Sequence, residues 1–257
     1  MIWVRVLGDY WMANKILLIT GGTSNYSAHI NVLLSSIRFT NPEITIMVGC
    51  FGWSYDLIES FREVHKAKFI DIKCNDNLKN DVRENRRSGD ALKMKTQFIF
   101  DSFQSKNCGG LLWIDADSVV TKSLYGIISS IESKKYDVFC THRSHRKHSH
   151  DKFATGVLGF SDTKLAKEFL TKFNHKTNLA SGLESWFHDQ IEFYNTFNEI
   201  KPCLYPLNNN EHTIRGDKSA IIYSRREVLE VTPFGLAKIK NIPIKLINNI
   251  PNSIYPI

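Results

Sequence analysis

The sequence predicts an α/β fold with a mainly parallel central sheet and helices on both faces. Three observations carry that reading. Short apolar runs alternate with stretches whose apolar residues recur at helical spacing, as in successive β–α–β units. The 257 residues suffice for a full core and most simply form one domain. Finally, the run Leu111-Leu112-Trp113-Ile114 ends in Asp115-Ala116-Asp117, which reads as a buried strand delivering two acids to its C-terminal edge.

Residues 1–11 read as an extension ahead of Met12, because Met1 to Leu7 is too short for a signal peptide and Gly8-Asp9-Tyr10 interrupts it. Lys15 to Thr20 reads as the first strand, with Gly21 to Asn25 as its exit loop. Ile30, Leu33, Leu34 and Ile37 follow at helical spacing until Asn41-Pro42. Ile44 to Val48 is a strand, Tyr55 to His65 an amphipathic helix and Phe69 to Ile72 a third strand. The polar stretch Asn75 to Asp90 reads as a loop, and Ala91 to Phe103 as the helix feeding the acid-bearing strand. In the second half, Tyr136 to Thr141 and Phe153 to Phe160 read as strands, and Thr163 to Phe173 and Glu184 to Phe197 as helices. Leu204 to Leu207 and Ala220 to Tyr223 read as short strands around Asn208-Asn209-Asn210.

A 42% hydrophobic and 12% aromatic content is that of a globular chain, and no apolar run is long enough to cross a bilayer. Cys50, Cys74, Cys108, Cys140 and Cys203 lack zinc-site or disulfide-framework spacing, which fits a reducing compartment. Asn25-Tyr26-Ser27 matches a glycosylation acceptor, but it carries no meaning without secretion. The expectation is a cytoplasmic protein, soluble or peripheral on a membrane surface. A formal charge of +7 suits an anionic partner and equally suits ordinary solubility.

Ligands bind at the C-terminal edge of an open α/β sheet. Two aspartates there repel each other unless a divalent cation lies between them, and hard oxygen ligands favour Mg²⁺ or Mn²⁺. Such a cation would in turn bind a diphosphate. A chain of this length holds about one Asp-x-Asp by accident, so the weight rests on its place after Leu-Leu-Trp-Ile. The segment His142-Arg143-Ser144-His145-Arg146-Lys147-His148-Ser149-His150 has four histidines, but its Arg and Lys oppose metal binding. It reads as an exposed basic loop that contacts an acceptor or an anionic surface, with a pH-dependent pull on anions.

Leu111 to Asp117 resembles the metal-binding signature of GT-A glycosyltransferases, which use nucleotide-diphospho-sugar donors. Tyr26 to Arg38 is similar to that family's first helix. Phe153 to Phe160, Trp186 to Gln190 and His212 to Lys218 follow in the family's order, over roughly residues 15 to 225. The resemblance implies a GT-A fold, with about 15–120 as the nucleotide-binding half and about 121–225 as the acceptor half. It implies that Asp117 binds Mn²⁺ or Mg²⁺ directly and that Asp115 touches the metal or the ribose, with Ala116 beside them. It places Asp189 and Gln190 over the sugar, Asp189 acting as general base or holding donor hydroxyls. Lys93, with Lys95, Arg86 and Arg87 nearby, supplies a basic contact to the donor phosphates. Thr155-Gly156 either brings backbone close to the sugar or acceptor, or is a plain bulge. His212 and Lys218 are similar to the family 8 segment that completes the metal site and neutralises the leaving diphosphate. Here, however, the spacing is His212-x-x-x-Gly216-x-Lys218, with the glycine displaced from His-x-x-Gly-x-x-Lys.

A nucleotidyltransferase would need a glycine-rich phosphate loop with a basic residue after the first strand, and Gly21 to Tyr26 lacks it. No Gly-x-Gly-x-x-Gly supports a dinucleotide-binding enzyme. The expected activity is that of a metal-dependent hexosyl- or pentosyltransferase acting on a glycan or other hydroxyl acceptor, with no nucleic acid partner. The alternative is a degenerate nucleotide-sugar- or carbohydrate-binding protein.

Overall fold

The computed structural model describes residues 15–73, 89–105, 108–179, 188–213, 220–224, 229–231 and 237–239. β1 (Lys15–Thr23) runs through a short 3₁₀ turn into α1 (Ser27–Thr40). Ile30, Leu33, Leu34 and Ile37 are all buried on that helix, and the Asn41 N–H closes on the Ile37 carbonyl at its end. Pro42 has no N–H to continue the ladder. The Arg38 guanidinium fastens this exit by donating to the carbonyls of Pro42, Ile44 and Lys66. β2 (Ile46–Phe51) is buried along its whole length, as expected of an inner parallel strand. The Ser54 hydroxyl caps α2 (Tyr55–Val64) by accepting from the Leu57 N–H, and β3 (Lys68–Ile72) follows.

α3 (Gly89–Phe103) leads to β4 (Cys108–Ile114), then β5 (Ser118–Val120), α4 (Tyr125–Glu132) and β6 (Val138–His142). The single turn α5 (Ser149–Lys152) enters β7 (Phe153–Ser161), and α6 (Lys164–Leu179) and α7 (His188–Ile200) come next. Short strands β8 (Leu204–Pro206), β9 (His212–Thr213), β10 (Ile222–Ser224), β11 (Leu229–Val231) and β12 (Ala237–Ile239) complete the described chain.

The main sheet has seven strands in the order β3-β2-β1-β4-β7-β6-β8. All its pairings are parallel except β4–β7 and β7–β6, so β7 alone runs against the rest. β5, β10 and β9 form a small second sheet. Alternate side chains divide the main sheet's faces between two cores. Leu18, Val48, Leu112 and Ile114 pack with α1, α2 and α4, whereas Ile19, Met47, Leu111 and Trp113 pack with α3, α6 and α7. Among the described residues no helix is long and apolar enough to cross a membrane.

The short elements β5, α5, β9, β11 and β12 are absent from the sequence reading, and three further details depart from it. Gly21 and Gly22 belong to β1, not to a loop, and pair with Gly49 and Cys50. A Cβ on Gly21 would lie 2.8 Å from the Gly49 oxygen, so this glycine serves close strand approach. α4 was not foreseen because its eight residues give only Ile127 and Ile131 as a buried stripe. The expected loop gives way to helix at Gly89 and Asp90, while residues 74–88 and the expected helix start at 184–187 lie outside the described residues.

Candidate active site

Strand alternation sets the first half of the site. Leu111 and Trp113 face the α3 side of the sheet, and continuing the alternation sends Asp115 the same way. The Trp113 indole Nε1–H donates to Asp115 Oδ1 at 2.6 Å, and the Asp115 N–H donates to the Gly156 carbonyl at 2.8 Å. The Ser118 N–H closes the turn onto the Asp115 carbonyl at 3.1 Å, leaving Asp117 half-exposed and Ala116 packed into the opposite core. Gly156 therefore holds the acid-bearing strand end by its backbone, and Ala116 can offer a ligand only its own.

α3 supplies a cation. Phe98, Ile99 and Phe103 bury one stripe of the helix, and Lys95 lies three and four residues before the first two. Its ammonium is consequently inside the protein, 3.0 Å from Asp115 Oδ1, 3.2 Å from Asp189 Oδ2 and 5.5 Å from the Trp113 ring centre. Lys93, the residue favoured from the sequence, is half-exposed: two positions along a helix is about 200° of rotation. Among the described residues Lys95 is the lysine that meets Asp115 and Asp189.

β7 supplies the third side. Cys140 pairs with Leu158 and Thr141 with Ala154, so β7 inserts Thr155, Gly156 and Val157 where β6 has no counterpart. The bulge aims Thr155 inward. Its carbonyl accepts from Lys95 Nζ at 2.9 Å, and its hydroxyl donates to Asp189 Oδ2 at 2.7 Å. Asp189 Oδ1 accepts from the Gln190 N–H at 2.9 Å, so a carboxylate only 3% exposed has both oxygens engaged. Gln190 is half-buried beside it.

Burial pushes the Asp115 carboxyl up to about 6, against the pull of Lys95, and the Asp117 charge adds to the rise. A third of the Asp115 side chain still reaches the surface. Burial would lower the Lys95 pKa, but Asp115 and Asp189 outweigh it and raise the group, which stays charged. Among the described residues Asp115 and Asp189 share the one Lys95 ammonium, with Asp117 close enough to raise the Asp115 pKa, and such a gathering of carboxylates suits a divalent cation.

The sequence reading makes His212 a third metal ligand beside Asp115 and Asp117. Among the described residues no three of His, Cys, Asp and Glu come together as a metal-ligating group, so Asp115, Asp117 and His212 are not assembled as a triad. His212 is buried on β9, with β10 between it and β5, and its Nδ1 lies 2.5 Å from the Thr141 hydroxyl. Burial first, then Arg143, lower its pKa to about 3, so the imidazole is neutral. Lys218 and the displaced Gly216 lie outside the described residues. Thr141, Thr155 and Trp113 were not singled out as side chains; the helical spacing of Lys95 to Phe98 and Ile99 was the one readable signal.

No family model matches the chain, and no curated protein does. Solved structures do resemble it. The galactosyltransferase LgtC in complex with donor and acceptor sugar analogs is 12% identical, with a TM-score of 0.56 over 82% of this chain and 87% of that one. Apo GlyE of Streptococcus pneumoniae, a glycosyltransferase, is 14% identical, with a TM-score of 0.58 over 88% of this chain and 58% of that one. Mouse xyloside xylosyltransferase 1 is 13% identical, with a TM-score of 0.54 over 82% of this chain and 98% of that one. The strand order, the acids at the C-terminal edge of β4 and these likenesses agree: the chain has the GT-A glycosyltransferase fold.

Proposed function

We propose that the chain is a glycosyltransferase that moves a sugar from a nucleotide-diphospho-sugar donor to a hydroxyl acceptor, with Mn²⁺ or Mg²⁺ as its cation. The observation that carries this is the Lys95 ammonium joining Asp115, at a strand end, to Asp189, on a helix. It gathers acids from distant segments at the sheet edge where α/β proteins bind ligands. Thr20 and Thr23, toward the C-terminal end of β1, add buried hydroxyls with no partner among the described residues, as expected where a polar ligand completes the bonding.

Asp115 and Asp117 would hold the cation, which would supply Lewis-acid stabilisation of charge on the departing diphosphate. His212 is neutral, the form in which imidazole ligates metal, and would join them as a third ligand. Lys218 is assigned to the diphosphate as a further positive charge. With both oxygens engaged, Asp189 is better suited to fixing donor hydroxyls than to accepting a proton, and Gln190 is its partner against the sugar. Lys95 keeps the two carboxylates at a fixed separation.

The test is slow donor hydrolysis across a panel of nucleotide sugars with Mn²⁺, for wild type and Asp117→Ala. Cleavage of one donor, lost in the variant, supports the reading. One observation favours a second reading, a nucleotide-sugar-binding protein without turnover: Asp115 already holds an internal cation in Lys95. Tight binding of a nucleotide sugar with no cleavage, even with acceptors present, would select it.

A further inference from the structure

The loop from β6 to β7 contains cations that the site above does not use. Arg143, Arg146, Lys147 and Lys152 occur there with Asp151 as the only acid between Arg143 and Phe153. The loop turns back on itself. The Arg146 N–H donates to the Arg143 carbonyl at 3.0 Å, and the Arg143 N–H to the Lys152 carbonyl at 2.7 Å. Arg146 is half-buried, and its Nε is fully buried with no hydrogen-bond partner among the described residues. Its guanidinium forms no ion pair there either, and Lys147 beside it is exposed and likewise without one. A partly desolvated guanidinium without an acceptor is costly, and an oxyanion that takes its forked N–H groups removes that cost.

The loop's position says which oxyanion. β6 runs in the same direction as β4, since both oppose β7, so the loop rises from the same sheet edge as Asp115. Thr141, near the end of β6 from which the loop leaves, lies 2.5 Å from His212 Nδ1 by its hydroxyl. We propose that Arg143, Arg146 and Lys147 form an anion-recognition site that selects an acceptor bearing a phosphate group. Several cations with a single acid among them exceed what one carboxylate needs and match a phosphate dianion. This deepens the glycosyltransferase reading and rests on it for the word acceptor, but the anion site itself does not.

The test uses the full chain, with glucose 6-phosphate, glucose and phosphatidylglycerol vesicles as probes, and compares wild type with Arg146→Ser/Lys147→Ser. Wild type should bind the sugar phosphate at least roughly tenfold more tightly than glucose, as expected for one or two charge-assisted hydrogen bonds. The preference should vanish in the double variant, while Mn²⁺-dependent nucleoside diphosphate affinity changes less than about twofold. Should the double variant fail to fold, Lys147→Ser alone, at an exposed side chain, must lower the preference measurably. Loss of sugar phosphate binding in Asp117→Ala but not in the loop variant would place the probe in the diphosphate site and overturn the proposal. Vesicle binding that depends on the loop, without any sugar phosphate preference, would make the segment a membrane contact and also overturn it. If no nucleoside diphosphate binds at all but the loop-dependent preference holds, the donor reading fails and the anion site stands.

Discussion

Lys95 Nζ lies 3.2 Å from Asp189 Oδ2, with side-chain exposures of 8% and 4%, so the pair is inside the protein. Removing one member of such a pair strands the other's charge in a low-dielectric interior, which costs more than the pair contributes net. Lys95→Met should therefore destabilise the protein by about 3–5 kcal/mol. Adding Asp189→Asn should restore part of that. Urea denaturation of the single and double variants measures both, and a loss below about 1 kcal/mol for Lys95→Met would show a solvated pair.

At the strand end, Asp117 is half-exposed, so its loss should cost function more than stability. Asp117→Ala is expected to lose Mn²⁺-dependent nucleoside diphosphate binding with its melting temperature unchanged. Calorimetry giving wild-type affinity in that variant would sink the metal assignment.

The third prediction concerns the segment whose glycine is displaced. If His212 ligates the cation and Lys218 meets the diphosphate, His212→Ala should weaken Mn²⁺ affinity, and Lys218→Ala should slow donor cleavage with little effect on metal binding. Full turnover in both variants would reduce the segment to a structural strand and loop.

His65 provides a pH prediction unconnected to the site. Its ring is 5% exposed and its Nε2 lies 2.7 Å from Asn31 Oδ1. Burial first, then the Arg38 charge, lower its pKa from 6.5 to about 4. The unfolded chain thus binds a proton below pH 6.5 that the folded chain refuses until about pH 4. The stability this group contributes is complete above pH 6.5 and drains away as pH falls through that window, by up to about 3 kcal/mol. Denaturation of wild type and His65→Gln at pH 7 and pH 4.5 isolates the effect from that of His212. Equal acid sensitivity in both proteins would assign it elsewhere.

What the sequence determined is what local pattern can encode. The apolar runs at β1, β2 and β4 state burial, because a strand covered on both faces must be apolar at every position. The stripe Ile30, Leu33, Leu34 and Ile37 states a helix, and Asn41-Pro42 states its end. The acids at the end of β4 were legible for the same reason: a hydrophobic strand that stops in two carboxylates must deliver them to an edge. Tertiary structure decided which distant groups meet those acids. Lys95 rather than Lys93 reaches them because helix rotation buries one and leaves the other half-exposed, and the apolar stripe that fixes the rotation acquires meaning only against the sheet. Thr155 enters because β7 runs antiparallel to its neighbours and bulges there, and pairing register is a property of two strands that neither one encodes alone. His212 meets the Thr141 hydroxyl because β9 joins β10 and β5 in a second sheet, a pairing that no spacing between His212 and Lys218 could reveal.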